Sequence, residues 1–285
     1  MNIRSILVHL DNSAQAHSRV ATAAALALRH EAHLVGLAPT GWVMTPADPT
    51  GLLGSGEFTE RALQLLHEEA ESAVRQFESQ ARALGLTSYE SRISCEDIAV
   101  AMTLASRYCD LTVATQTEPR VWAAEQQAGM PESVLLHSGR PLLLLPYARS
   151  PEEPFAMPPE QRVLVAWDGG REAARAMHDA LPLLRQARRV EVVVFEAPQG
   201  VDPRHGPLPG ADIGLWLARH GVRVEVSALR TEIPVGEALL SHAADLGAQL
   251  IVAGGYGHTR LREAVLGGVT RTLMRSSPVP LLLSH

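Results

Sequence analysis

The order of apolar segments in this chain runs through once and then runs through again. That repetition limits the possible folds more than any single motif. SILVHL, Ser5 to Leu10, ends at Asp11, and RVLVAW, Arg162 to Trp167, ends at Asp168. LTVAT, Leu111 to Thr115, answers to LIVAG, Leu250 to Gly254; PLLLL from Pro141 answers to PLLL from Pro280. At an offset of 139, Leu111, Val113 and Ala114 meet Leu250, Val252 and Ala253, whereas the two aspartates lie 157 apart. The second copy is therefore shorter by the difference, 157 − 139 = 18 residues. The loss is expected where the long helical pattern Phe58–Leu84 shrinks to Asp212–His220.

Short continuous apolar runs suit strands buried on both faces. In each half five of them alternate with helical segments: Ala14–His30, Phe58–Leu84, Asp97–Tyr108 and Glu132–Ser138 in the first, Arg171–Arg185, Asp212–His220 and Val235–Leu246 in the second. Asp11-Asn12-Ser13 supplies helix-capping side chains, and Thr40 to Gly56 reads as a loop. Strand–helix alternation with right-handed crossovers predicts an α/β fold of two tandem doubly wound domains, each a five-stranded, mostly parallel sheet. The domains are expected at 1–147 and 162–285. The linker 148–161 between them holds four prolines and no apolar period. In this winding LLLLPY and VPLLLSH fall at sheet edges, and bare apolar edges invite pairing. The chain can pair them with each other as an intrachain pseudo-dimer, and an intermolecular homodimer is compatible with that.

The 285 residues are 46% hydrophobic, enough for a substantial core in each half, and the 4% aromatic content makes that core aliphatic. The net charge of −6, with no block of basic residues, argues against a nucleic-acid partner or an anionic membrane surface. Cys95 and Cys109 form no CxxC pair and read as free thiols in a reducing compartment. The start MNIRSILVHLD lacks the apolar region of a signal peptide, and no run approaches the ~18 apolar residues of a spanning helix. A cytoplasmic location is expected. His9, Asp11 and His17 match no metal-ligand spacing. Ser133, His137 and Ser138 share a short helix with no oxyanion loop, so neither a metal site nor a catalytic nucleophile is assigned.

Ligands of open parallel sheets sit outside the carboxyl ends of the strands, where the winding reverses. In the second half that crevice is bounded by Trp167-Asp168-Gly169-Gly170 and by Ala253-Gly254-Gly255-Tyr256-Gly257. Glycines at such a place suit a phosphate held by bare backbone or a tight turn packed under the sheet end. Gly267-Gly268 opens the last helix, whose N-terminus adds donors. His258 and Arg260 suit either a phosphate clamp or a solvated loop face, and Asp168 either a ligand hydroxyl or amino group or a plain helix cap. No lysine follows these glycines as in a P-loop, and no dinucleotide GxGxxG follows the first strand. No base and no water-positioning carboxylate is evident near the loop.

Read as G-x2-G-x9-G, Gly254, Gly257 and Gly267 resemble the nucleotide loop of the universal stress proteins. The strand ending in Asp168 and the last strand VPLLL add to the likeness, and the repeat extends it to a tandem member of that family. The resemblance implies an adenine nucleotide alpha hydrolase-like fold with an ATP-type ligand, any Mg2+ arriving with it. Asp168 would serve the adenosine end; Gly254, Gly257, Gly267, Gly268, Val269 and Thr270 would serve ribose and phosphates. Gly268 departs from the pattern, since nucleotide-binding members carry Ser or Thr there, unless Thr270 supplies the hydroxyl. In the first half Thr115, Glu118 and Ala128 stand where the three glycines should be, and only Gly129 matches Gly268. The expected function is a non-catalytic stress-response factor that binds ATP or a related adenine nucleotide in its second half, the first half being a degenerate partner. A structural or protein-interaction module with vestigial pockets, and a slow ATPase, are the alternatives.

Overall fold

The computed structural model describes residues 2–41, 55–117, 129–148, 161–195, 210–257 and 268–285. Most of the expected linker and the segment from His258 to Gly267 lie outside these. The first half contributes β1 (Ser5–His9), α1 (Ala16–His30), β2 (His33–Pro39), α2 (Ser55–Ala83), β3 (Tyr89–Ser94), α3 (Ile98–Ser106), β4 (Leu111–Thr115), α4 (Met130–His137) and β5 (Leu142–Leu145). The second contributes β6 (Arg162–Ala166), α5 (Arg171–Leu184), β7 (Arg189–Phe195), α6 (Ala211–Arg219), β8 (Val224–Leu229), α7 (Val235–Leu246), β9 (Leu250–Gly254), α8 (Gly268–Ser276) and β10 (Leu281–Ser284).

These strands form one ten-stranded sheet in the order β3-β2-β1-β4-β5-β10-β9-β6-β7-β8. Within each half the strands are parallel, and the winding starts at β1 or β6 and reverses next to β4 or β9. The repeat survives in the register: Ile6 pairs with Leu111, and Val163 with Leu250. The missing residues fall where expected, α2 having 29 residues and α6 nine.

The apolar runs are buried on both faces because helices cover both. Ile6, Val8, Val163 and Val165 turn into one core, and Leu7 and Leu164 into the other. Local chemistry sets the helix ends. Asp97 accepts from the amides of Ala99 and Val100 at 2.9 and 3.1 Å and starts α3. Gly247, in the left-handed region at φ 63°, ends α7.

β5 and β10, the two leucine-rich edges, pair antiparallel, with Leu143 opposite Leu282. Their leucines are at most 2% exposed. At roughly 1.5–3 kcal/mol for each buried leucine, this seam is a strong apolar joint. It also points the strand ends of the two halves in opposite directions, so the two candidate crevices lie at opposite ends of the sheet.

Candidate functional site

In the second half, β6 runs out at Ala166, and Asp168 stands half-buried at the top of the switch point. Its Oδ1 accepts from the Gly170 amide at 2.8 Å, closing a turn in which Gly169 takes φ 71° and Gly170 leads into α5. The bond closes a turn ahead of the helix and engages one carboxylate oxygen; the N-cap itself is Gly170, without a side-chain cap, so the helix-cap role considered from sequence is not the one Asp168 plays. The position eight residues further on is Ala176, which is fully buried. Among the described ion pairs, Arg171 and Arg175 of α5 engage Glu172 and Asp179 rather than Asp168.

Across the crevice the glycines are closely approached by their neighbours. A Cβ on Gly254 would lie 2.5 Å from the backbone nitrogen of Ala173 and 2.6 Å from the carbonyl carbon of Glu172, so the first turn of α5 rests directly on β9. A Cβ on Gly255 would lie 2.7 Å from Leu135 of the first half, and one on Gly257 would lie 2.8 Å from Glu172 Oε2. Of the two reasons open in the sequence, close packing against the α5 backbone holds for Gly254, whereas Gly257 meets only the end of the Glu172 side chain. Gly268 has open space around it, Val269 is exposed, and Gly267 lies outside the described residues.

The loop also satisfies much of its own backbone. The Gly255 amide donates to Ser284 O at 2.8 Å, and the Tyr256 amide donates to Thr270 Oγ1 at 3.1 Å. Tyr256 holds φ 55°, an uncommon conformation for a non-glycine residue, and the Thr270 bond clamps it there. Thr270 is buried and faces this backbone. The Gly257 amide has no acceptor among the described residues.

A carboxylate stands beside this loop, paired with an arginine. Glu172, in the first turn of α5, is only 5% exposed, and Arg171 Nε donates to its Oε1. Burial pulls the Glu172 carboxyl upward, but the hydrogen bond and charge of Arg171 outweigh it and hold it below the usual glutamate range. The group stays ionised at neutral pH.

The first half closes the equivalent place. Arg19, 1% exposed, donates from Nε to His9 O at 2.8 Å, from Nη1 to Thr115 Oγ1 at 2.9 Å and from Nη2 to Asp11 Oδ1 at 2.6 Å. Asp11 also accepts from the Ser13 amide and hydroxyl. Burial raises the Asp11 carboxyl, yet the Arg19 charge carries it well below the ordinary aspartate range. His9 is driven the other way for its charge: burial lowers it to about 4 against the pull of Asp11, so the imidazole is neutral at pH 7. Helix α1 starts at Ala16, two residues later than α5 in the repeat frame, and Thr115 takes the place of Gly254. Arg19 corresponds to Ala176 at the offset of 157. An arginine on the apolar face of an alanine-rich helix was the available sign of this network. Glu118 and Ala128 lie outside the described residues.

Other sequence candidates fall elsewhere. His137 and Ser133 are joined through the Ser133 carbonyl rather than its hydroxyl, which pairs with Thr103. Among the described residues no group of three metal-ligating side chains comes together, and no helix is long and apolar enough to cross a membrane. Cys95 is exposed; Cys109 is buried, which pushes its thiol up to about 11.

Residues 160–285 match the model of the universal stress protein family. No curated protein matches the sequence. Among solved structures, a universal stress protein from Archaeoglobus fulgidus DSM 4304 superposes with a TM-score of 0.75 at 16% identity, covering 98% of this chain and 95% of its own. A functionally unknown protein from Pseudomonas aeruginosa PAO1 gives 0.62 at 15% identity, covering 99% and 92%. At such identities the likeness is one of fold, and it extends across both halves. Residues 160–285 thus belong to the universal stress protein family, within a chain whose first half carries the same doubly wound fold.

Proposed function

We propose that this protein is a non-catalytic, nucleotide-responsive member of its family that holds ATP or a related adenine nucleotide in the second-half crevice. The first half serves as its structural partner. The observation that carries this reading is the contrast between the two aspartates. Asp11 is sequestered by a buried guanidinium, whereas Asp168 is half-buried and holds only the Gly170 amide among the described hydrogen bonds. A ribose hydroxyl or adenine amino group thus meets at Asp168 a carboxylate with no ion pair among the described residues, and at Asp11 one already held by Arg19. The first turn of α8, with Gly268, Val269 and Thr270, adds amide donors on the far side. Any Mg2+ would enter with the nucleotide.

The test is ligand-dependent stability of the full chain. A ligand at 100 times its Kd raises the unfolding free energy by about 2.7 kcal/mol. Adenosine or ATP with Mg2+ at millimolar concentration is expected to raise the melting temperature; Asp168→Ala removes the rise and Asp11→Ala leaves it. The reading is refuted if no adenine ligand shifts the transition, or if both variants lose the shift alike.

A second reading, a structural or protein-interaction module with both pockets vestigial, has its own support. Gly254 is explained by packing, and the Gly255 and Tyr256 amides are already used. A flat response to every adenine ligand is its expected signature.

A further inference from the structure

We propose that Glu172 sets the charge class of the ligand in the second-half crevice, so that adenosine or a nucleoside monophosphate is preferred to a triphosphate. The inference rests on the reading of this crevice as an adenosine site and adds which end of the ligand it tolerates.

A helix N-terminus beside a glycine loop is ordinarily a place for an anionic ligand group. Here the chain's own carboxylate stands there. Glu172 belongs to the first turn of α5, is 5% exposed, and lies against Gly257, where a Cβ would meet its Oε2 at 2.8 Å. Its other oxygen is engaged by Arg171, so the nearest described cation is already paired. Of the described loop amides, Gly255 and Tyr256 are used within the chain, which leaves Gly257 as the donor on the α5 side of the crevice, opposite those of the first turn of α8. A phosphate reaching that amide comes close to an ionised carboxylate, and like charges at such range disfavour one another. Each further phosphate adds to the repulsion, while the base and ribose at Asp168 are unaffected. The first half carries Gln15 at the corresponding position, uncharged and donating to Tyr147 O at 3.2 Å. The acid is thus peculiar to the half that kept the glycine loop.

Calorimetric titration of the full chain with adenosine, AMP, ATP and ATP plus Mg2+ tests this. The wild type is expected to bind adenosine at least about tenfold more tightly than ATP, with AMP nearer to adenosine. Glu172→Gln is expected to tighten ATP about tenfold or more while moving adenosine less than about twofold. Glu172→Ala carries the same expectation should the glutamine variant fold poorly, and the wild-type ligand order is a test without any variant. Equal or tighter binding of ATP to the wild type, with or without Mg2+, overturns the role of Glu172 and leaves the adenosine site standing. Absence of binding by every one of these ligands overturns the site itself and this inference with it.

Discussion

Replacing Arg19 by methionine removes the guanidinium that fills the first-half crevice and leaves a side chain of good helix propensity in place. Asp11, whose side chain is 15% exposed, then loses its ion pair, and His9 O and Thr115 Oγ1 lose their donor. Removing one member of a buried pair typically costs about 3–5 kcal/mol, because the remaining charge is stranded. The loss is expected in that range by urea unfolding of the full chain at pH 7. Asp11→Asn combined with Arg19→Met removes the stranded charge and is expected to recover about half of it, an interaction term visible in the double-mutant cycle. The pH dependence gives a second check. The folded Asp11 carboxyl lies below its unfolded value of about 3.9, so its contribution is present above that pH and is lost as pH falls below it towards the folded value. Arg19→Met removes this acid-limb slope. A loss below about 1 kcal/mol, or a double variant as unstable as the sum of the singles, refutes the claim that Arg19 and Asp11 form one coupled unit.

Two further outcomes follow from the same geometry. His9 has a folded value of about 4 and an unfolded value near 6.5, so below pH 6.5 the unfolded chain takes up a proton that the folded chain refuses. Stability should fall from pH 6.5 to about 4 and then level for this group; urea midpoints of His9→Gln should lack that component, and an unchanged slope would count against burial as the cause. Gly254→Ala sets a methyl against the backbone of Glu172 and Ala173, and should destabilise the chain by about 1–3 kcal/mol or more whether or not ligand is present. Wild-type stability in that variant, measured by thermal melting, would show that α5 does not rest on β9 as described.

Much of this architecture was legible in the chain. β4 and α7 begin and end at the residues expected, Leu111–Thr115 and Val235–Leu246, because their apolar runs are bounded by turn and capping residues. Paired offsets of 157 and 139 predicted which strands are equivalent and which helix shortened. Leucine-only edges pointed to the β5–β10 seam. Those properties depend on local periodicity and on the order of elements, and both are written along the sequence.

The crevices were less legible, because their character depends on what lies opposite each residue. Gly254 suits a phosphate cradle or a packed turn in sequence, and only the fold sets the backbone of α5 against it. Asp11 and Asp168 look alike in sequence, yet eight residues further on one chain segment carries Arg19 and the other Ala176, so that Asp11 is ion-paired and Asp168 has no ion pair among the described residues. Glu172 passed for an ordinary first-turn acid until its carboxylate was seen beside Gly257. Composition and periodicity determine which segments are buried and how they alternate, whereas steric fit and charge pairing arise between residues distant in the chain. Those contacts exist only once the sheet has brought the helix starts and strand ends together, and they set the packing and the charge pairing of each crevice.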